Sequence, residues 1–180
     1  KGLLMKSAHI RKPHVLAFCR KVVPDAKPVY VPVQDAPRTR PNECFSNVRG
    51  VRLVLGGEIV VGWSIWEWPR VLIEAEFHAV LRLPSGKLID VTPRERDLSK
   101  ITFVSDARYT DRGQRVDNIR KPLGTDPAIA NLIALHERHF VVANELEVVD
   151  ERRQAQLLAE ERQLVDDIVL ARHRLEERYG

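Results

Sequence analysis

Three side chains suited to acyl transfer follow one another along the chain: Cys44, His78 and Asp90. A thiol attacks a carbonyl well only as the thiolate, and a free thiol is mostly protonated near neutral pH. An imidazole beside it takes the proton and later delivers it to a leaving amine. A carboxylate on the other ring nitrogen fixes the tautomer and orientation of that imidazole. In this scheme Cys44 attacks an amide carbonyl, His78 protonates the leaving amine and Asp90 orients His78. Each residue also has a plainer use. A cysteine at a helix start can be a small buried hydrophobe, and an Asp before Val-Thr-Pro can simply begin a turn.

The three side chains can meet only if their elements bring them together. Residues 44–55 carry Phe45, Val48, Val51 and Leu55 close to helical spacing, and Gly56-Gly57 ends the run. This places Cys44 at a helix N-terminus, where the helix dipole favours a negative charge. Residues 58–66 and 71–83 read as strands, followed by 87–91 and 101–104. Pro84-Ser85-Gly86 suits a three-residue hairpin loop with glycine in the left-handed position. That loop pairs Leu83 with Lys87, Val80 with Asp90 and His78 with Thr92. His78 and Asp90 then share a face as diagonal neighbours, roughly 7–8 Å apart at the backbone. A two-residue loop would put them on opposite faces.

Other residues could complete such a site. Gln34 and Asn42 lie upstream of the thiol and are candidate donors to an oxyanion, or else turn residues. Asn47 lies one turn into the helix and can bind backbone instead. Trp66 and Trp68 share a strand face and could wall a substrate or shield a thiolate; with Trp63 they are all the tryptophans, and core packing is the competing role. Glu74 and Glu76 alternate onto the face of His78. Glu76 could bind a basic substrate group or favour the imidazolium, with a solvated rim charge as the alternative.

The remainder of the chain bounds the answer. Its 180 residues suit one domain with a small appendage, and its 44% hydrophobic and 30% charged content is that of an ordinary globular protein. Two cysteines, Cys19 and Cys44, cannot build a disulfide scaffold or a four-cysteine zinc site. Cys19 lies in an apolar helical stretch, 7–23, that Pro13 limits at its start, and reads as packing. Prolines at 28, 32, 37 and 41 make 28–41 extended chain, an edge strand at most. Residues 94–100 and 107–125 read as polar loops. Asp126-Pro127 opens a helix running to about Ala143, with Asn144 as its stop, and a second helix covers about Val149 to Tyr179. Its apolar stripe is Leu157, Leu164, Val165, Ile168, Ala171, Leu175 and Tyr179.

The net charge of +4 is uneven: ten acids and six arginines give residues 145–180 a charge of −4, and nine basic groups crowd residues 1–40. The basic arm leaves nucleic-acid contact open, although no recognition motif accompanies it. The C-terminal stripe leaves a homodimer open. His136-x-x-His139 lacks a third ligand, so no metal and no cofactor is expected. No apolar run reaches the roughly 18 residues of a membrane span. With no visible signal peptide the expected compartment is the cytoplasm.

The order Cys, His on a strand, Asp on the next strand resembles the core of transglutaminase-like and papain-like cysteine hydrolases. Phe77-His78-Ala79-Val80 and Leu88-Ile89-Asp90-Val91-Thr92-Pro93 are similar to the His and Asp strands of transglutaminase-like proteins. Glu43-Cys44-Phe45-Ser46-Asn47-Val48, Gly62-Trp63-Ser64-Ile65-Trp66-Glu67-Trp68-Pro69 and Glu74-Ala75-Glu76-Phe77-His78 resemble a group of bacterial and phage proteins labelled as SEC-C-motif, or zinc-chelation, proteins. The likeness spans about residues 28–106. No cysteine- and histidine-rich zinc cluster follows Cys44, so the zinc property does not carry over. The elements read along the chain give an α+β core over 1–125 and a C-terminal helical hairpin over 126–180, and the resemblance implies that the core is papain- or transglutaminase-like, a helix packed on an antiparallel sheet. It implies a cysteine hydrolase-like core with Cys44, His78 and Asp90 in the matching positions, and no particular substrate; the expected activity is that of a thiol hydrolase or acyltransferase (protease, deamidase or transglutaminase-like) on a protein or peptide. A binding module that keeps the fold without catalysis is the competing expectation.

Overall fold

The computed structural model describes residues 4–25, 27–94, 98–146 and 150–180. In chain order the elements are β1 (Lys6–Ser7), α1 (Pro13–Val22), β2 (Val29–Pro32), α2 (Cys44–Leu55), β3 (Glu58–Trp68), β4 (Leu72–Arg82), β5 (Leu88–Ile89), β6 (Lys100–Ser105), β7 (Ile119–Pro122), α3 (Pro127–Glu145) and α4 (Glu151–Tyr179). The fold is α+β. Two compact units divide it, residues 1–67 with 73–119, and residues 68–72 with 120–180.

The first unit is built on a sheet with strand order β2-β6-β3-β4-β5, and β1 pairs with β3. The named ladders β1–β3, β2–β6, β3–β6 and β4–β5 are antiparallel. The two ends of that order also meet. Val33 and Asp90 form a parallel bridge, in which the Asp90 N–H donates to the Pro32 carbonyl (2.9 Å) and the Gln34 N–H to the Asp90 carbonyl (2.8 Å). The proline-rich 28–41 segment therefore supplies a four-residue strand and then a clamp on the Asp90 backbone. Two apolar groups fill the unit. Val48 and Val51 of α2 pack on Ala79, Leu81, Ile89 and Val91, whereas Val80 lies with Val31, Trp66, Ile101 and Phe103. This alternation along β4 separates the face that holds α2 from the face that carries His78.

Gly62 is needed where β3 crosses β6. A Cβ there would lie 2.1 Å from the Val104 carbonyl oxygen and 2.8 Å from the Phe103 ring. Backbone cannot yield cheaply, so Gly62→Ala is expected to lower stability by about 1–3 kcal/mol, read as a fall in the thermal midpoint.

In the second unit α3 begins as its sequence predicts, with Asp126 as N-cap accepting from the Ala128 N–H (2.9 Å) and proline in the first turn. Asn144 does not stop α3, which continues to Glu145. The expected α4 start at Val149 lies outside the described residues; Asp150 caps α4 by accepting from the Arg153 N–H. Val142, Leu157 and Leu164 join the two helices, and Asp126 binds Arg178 (2.8 Å) and Tyr179 (3.2 Å) at the far end. Leu157, Leu164, Ala171 and Leu175 are buried, but Val165 is 44% exposed and lies off the packed stripe.

Two further departures have local causes. Residues 7–23 do not form one helix: Ser7 pairs in β1, and α1 starts at Pro13, whose fixed φ suits a first helical turn. Within the expected loop 107–125, Ile119–Pro122 forms β7, a strand too short and too polar to show alternation. Among the described residues, no helix is long and apolar enough to cross a membrane.

Candidate active site

The Pro84-Ser85-Gly86 loop sets the site. The Leu83 N–H donates to the Lys87 carbonyl (2.9 Å) and the Gly86 N–H to the Leu83 carbonyl (2.8 Å), with Gly86 at φ +85°. The hairpin register is then Leu81 opposite Ile89 and Arg82 opposite Leu88, which is the three-residue register. Side chains alternate, so His78 and Asp90 come to one face, and His78 Nε2 lies 3.1 Å from Asp90 Oδ1.

Both partners are withdrawn from water: His78 is 2% exposed and Asp90 0%. Among the described residues, the hydrogen-bond partners of the Asp90 carboxylate are the Thr92 N–H, His78 and Arg94. Oδ1 accepts from the Thr92 N–H (3.0 Å) and faces His78, while Oδ2 accepts from Arg94 Nη2 (2.8 Å). Burial alone would raise the Asp90 carboxyl, but His78 and Arg94 hold it well below the usual carboxylate range. Burial alone would also drive the His78 proton off. The charge and hydrogen bond of Asp90 outweigh it, with a further lift from a hydrogen bond and charge at Cys44, and raise His78 from 6.5 to about 9. That direction favours the imidazolium form, in which Nε2 donates to Asp90. With Nε2 turned to Asp90, Nδ1 is the ring nitrogen that remains for a thiol.

Cys44 is the first residue of α2 and half-buried, and its hydrogen bond and charge are among the causes that raise His78. Glu43 at the N-cap makes no side-chain cap bond, so the first-turn amides lack a side-chain acceptor. The approach to the helix is fixed by Asn47, which is buried and acts as a strut. Its Oδ1 accepts from the Arg40 N–H (2.9 Å) and its Nδ2 donates to the Arg40 carbonyl (2.7 Å). Asn42 adopts φ +63° within this strutted segment, a conformation asparagine tolerates, and its side chain is exposed. Gln34 is exposed as well, and its backbone is bonded to that of Asp90.

Trp66 and Glu76 join the site through a residue that sequence reasoning left in a loop, Arg94. Trp66 Nε1 donates to Glu76 Oε2 (2.7 Å), Arg94 Nη1 lies 3.8 Å from the same oxygen, and the guanidinium stacks over the Trp66 ring at 5.1 Å. Glu74 instead accepts from Asn118 Nδ2 (3.2 Å). Trp68 is buried and belongs to the second unit, where the Arg172 guanidinium lies over its ring. Trp63 is buried and donates from Nε1 to Asp106 (2.9 Å). With Phe45, Phe77 and Tyr109 it forms an aromatic cluster, centroids 5.1–5.9 Å apart, that adjoins Cys44 and His78 in sequence.

The second cysteine serves as an internal contrast. Cys19 is fully buried in α1, and burial pushes its thiol up to about 11. Among the described residues no group of three His, Cys, Asp or Glu could hold a metal ion. A cleft of about 760 Å³ runs along α2 from Ser46 and Asn47 to Leu55, walled opposite by residues 35–39; Cys44, His78 and Asp90 do not line it. No family model, curated protein or solved structure matches the chain.

Proposed function

We propose that the protein is a cysteine-dependent amide hydrolase or acyl transferase, with a papain- or transglutaminase-like core and a protein or peptide substrate. The observation that carries this reading is the buried His78–Asp90 pair, Nε2 3.1 Å from Oδ1, with Cys44 at a helix N-terminus among the groups that raise the imidazole. The Cys44 sulfur attacks the carbonyl carbon, forming a C–S bond and an oxyanion. The Cys44 N–H and its first-turn neighbours favour that oxyanion, with Gln34 or Asn42 as the second donor. Collapse breaks the C–N bond as His78 passes its Nδ1 proton to the amine. Water or an acceptor amine then attacks the thioester carbon and gives its proton to His78; the C–S bond breaks and the Cys44 thiolate leaves beside the imidazolium. Trp66, Glu76 and Arg94 support the carboxylate end of the relay.

An activated ester tests the reading without knowledge of the natural substrate. With p-nitrophenyl acetate the protein should release a burst of one equivalent of nitrophenol and carry one acetyl group on Cys44. Cys44→Ala should give neither. Acetylation absent in the wild type, or unchanged in the variant, would overturn the proposal.

A non-catalytic interaction module is favoured by a different observation, the α2 cleft with Leu53 89% and Val54 83% exposed beside it. That reading predicts no acyl-enzyme.

A further inference from the structure

A cysteine–histidine–carboxylate relay does not call for a second cation, yet one is built in. Arg94 Nη2 lies 2.8 Å from Asp90 Oδ2 and 3.1 Å from His78 Nε2, the same separation that Nε2 has from Asp90 Oδ1. One ring nitrogen cannot donate to Asp90 and accept from Arg94 at once. When His78 is protonated, two cations therefore face each other across one carboxylate. When it is neutral, Arg94 offers Nε2 a donor of its own. The guanidinium is held in place from the other side by the Trp66 ring and Glu76, and only 13% of its side chain is exposed. Among the described residues, the charged and titratable groups around His78 are Asp90 beyond β5, Arg94 in the following loop, Cys44 from α2 and Glu76 on β4 itself. The Phe103 ring of β6 closes the remaining side at 6.5 Å.

We propose that Arg94 is a positioning residue that limits how tightly His78 holds its proton, with Glu76 moderating its charge. Anchored on Oδ2, Arg94 keeps Asp90 ionised and oriented. Its own charge beside Nε2 opposes the imidazolium, so the proton leaves more readily toward an amine on the Nδ1 side. The use of this device rests on the acyl-transfer reading, but the device itself can be measured in the resting protein.

The measurement is a nitrogen NMR titration of the His78 ring in the full chain. Arg94→Met and Arg94→Gln should raise the titration midpoint by roughly one pH unit, a tenfold gain in proton affinity. Arg94→Lys should stay near the wild type, and Glu76→Gln should move the midpoint down by strengthening the unopposed charge of Arg94. If Arg94→Met does not fold, Arg94→Gln and Glu76→Gln carry the same opposed signs. Neutral Arg94 variants that titrate at or below the wild-type midpoint, or a lysine variant that shifts as far as they do, would overturn the proposal. A purely structural role lowers stability without this charge-dependent pattern. Failure of the acyl-enzyme experiment alone would remove the catalytic use and leave the titration result standing.

Discussion

Asp90→Ala is expected to lower stability by about 3–5 kcal/mol, because it leaves buried positive charge without its counter-ion. The carboxylate satisfies the Thr92 N–H and faces both His78 and Arg94 from a fully buried position. In the variant His78 must give up its proton on folding, and the Thr92 amide loses its acceptor. Asp90→Asn should cost less, since an amide oxygen can still accept. The pH dependence follows from the same pair. His78 is raised on folding, so its contribution is fully present below its unfolded value of 6.5 and is lost as pH rises through about 9. The loss amounts to about 3 kcal/mol, an interaction shared with Asp90 and counted once. The depressed Asp90 carboxyl acts at the other end. Its contribution is present above the ordinary carboxylate range and is lost as pH falls through its folded value. Chemical denaturation at pH 6 and pH 9 should show the alkaline loss in the wild type and abolish it in Asp90→Ala. A variant within about 1 kcal/mol of the wild type would contradict the buried ion-pair account.

His78→Ala should remove the reactivity of Cys44 while leaving Asp90 paired with Arg94. An unassisted thiol is only a few per cent thiolate at neutral pH. Loss of the imidazole should therefore slow alkylation of Cys44 near pH 7 to the rate of a free thiol. Turnover of an acyl substrate should fall further, by roughly 10²–10⁴-fold, because the leaving amine loses its proton donor as well. Circular dichroism on the same sample separates this from unfolding. Equal alkylation rates in folded wild type and variant would show that the imidazole does nothing for the thiol.

Much of this arrangement was legible in the sequence because it depends on local rules. The helix from Cys44 and its stop at Gly56 follow from apolar spacing and a glycine end, and the His78–Asp90 register follows from one three-residue turn. The parts that escaped are long-range. Nothing local announces that Val33 will bridge to Asp90 and clamp its backbone between Pro32 and Gln34. Arg94 read as the start of a polar loop, although its spacing of four from Asp90 was a usable hint once Asp90 was placed in a turn. Trp66 and Trp68 looked equivalent by alternation. The chain leaves the strand after Trp68, which lies in the second unit, while Trp66 stays beside Glu76.

The central claim is that Cys44 differs in kind from an ordinary cysteine because His78 and Asp90 stand behind it. Cys19 provides the control within the same molecule, being buried with its thiol pushed up to about 11. The direct test is alkylation with iodoacetamide from pH 5 to pH 9, with each cysteine followed by mass spectrometry. Cys44 should be modified well ahead of a free-thiol standard at pH 6 to 7, and Cys19 should remain unmodified in the folded protein. A Cys44 that follows the free-thiol standard across the whole range would contradict the account.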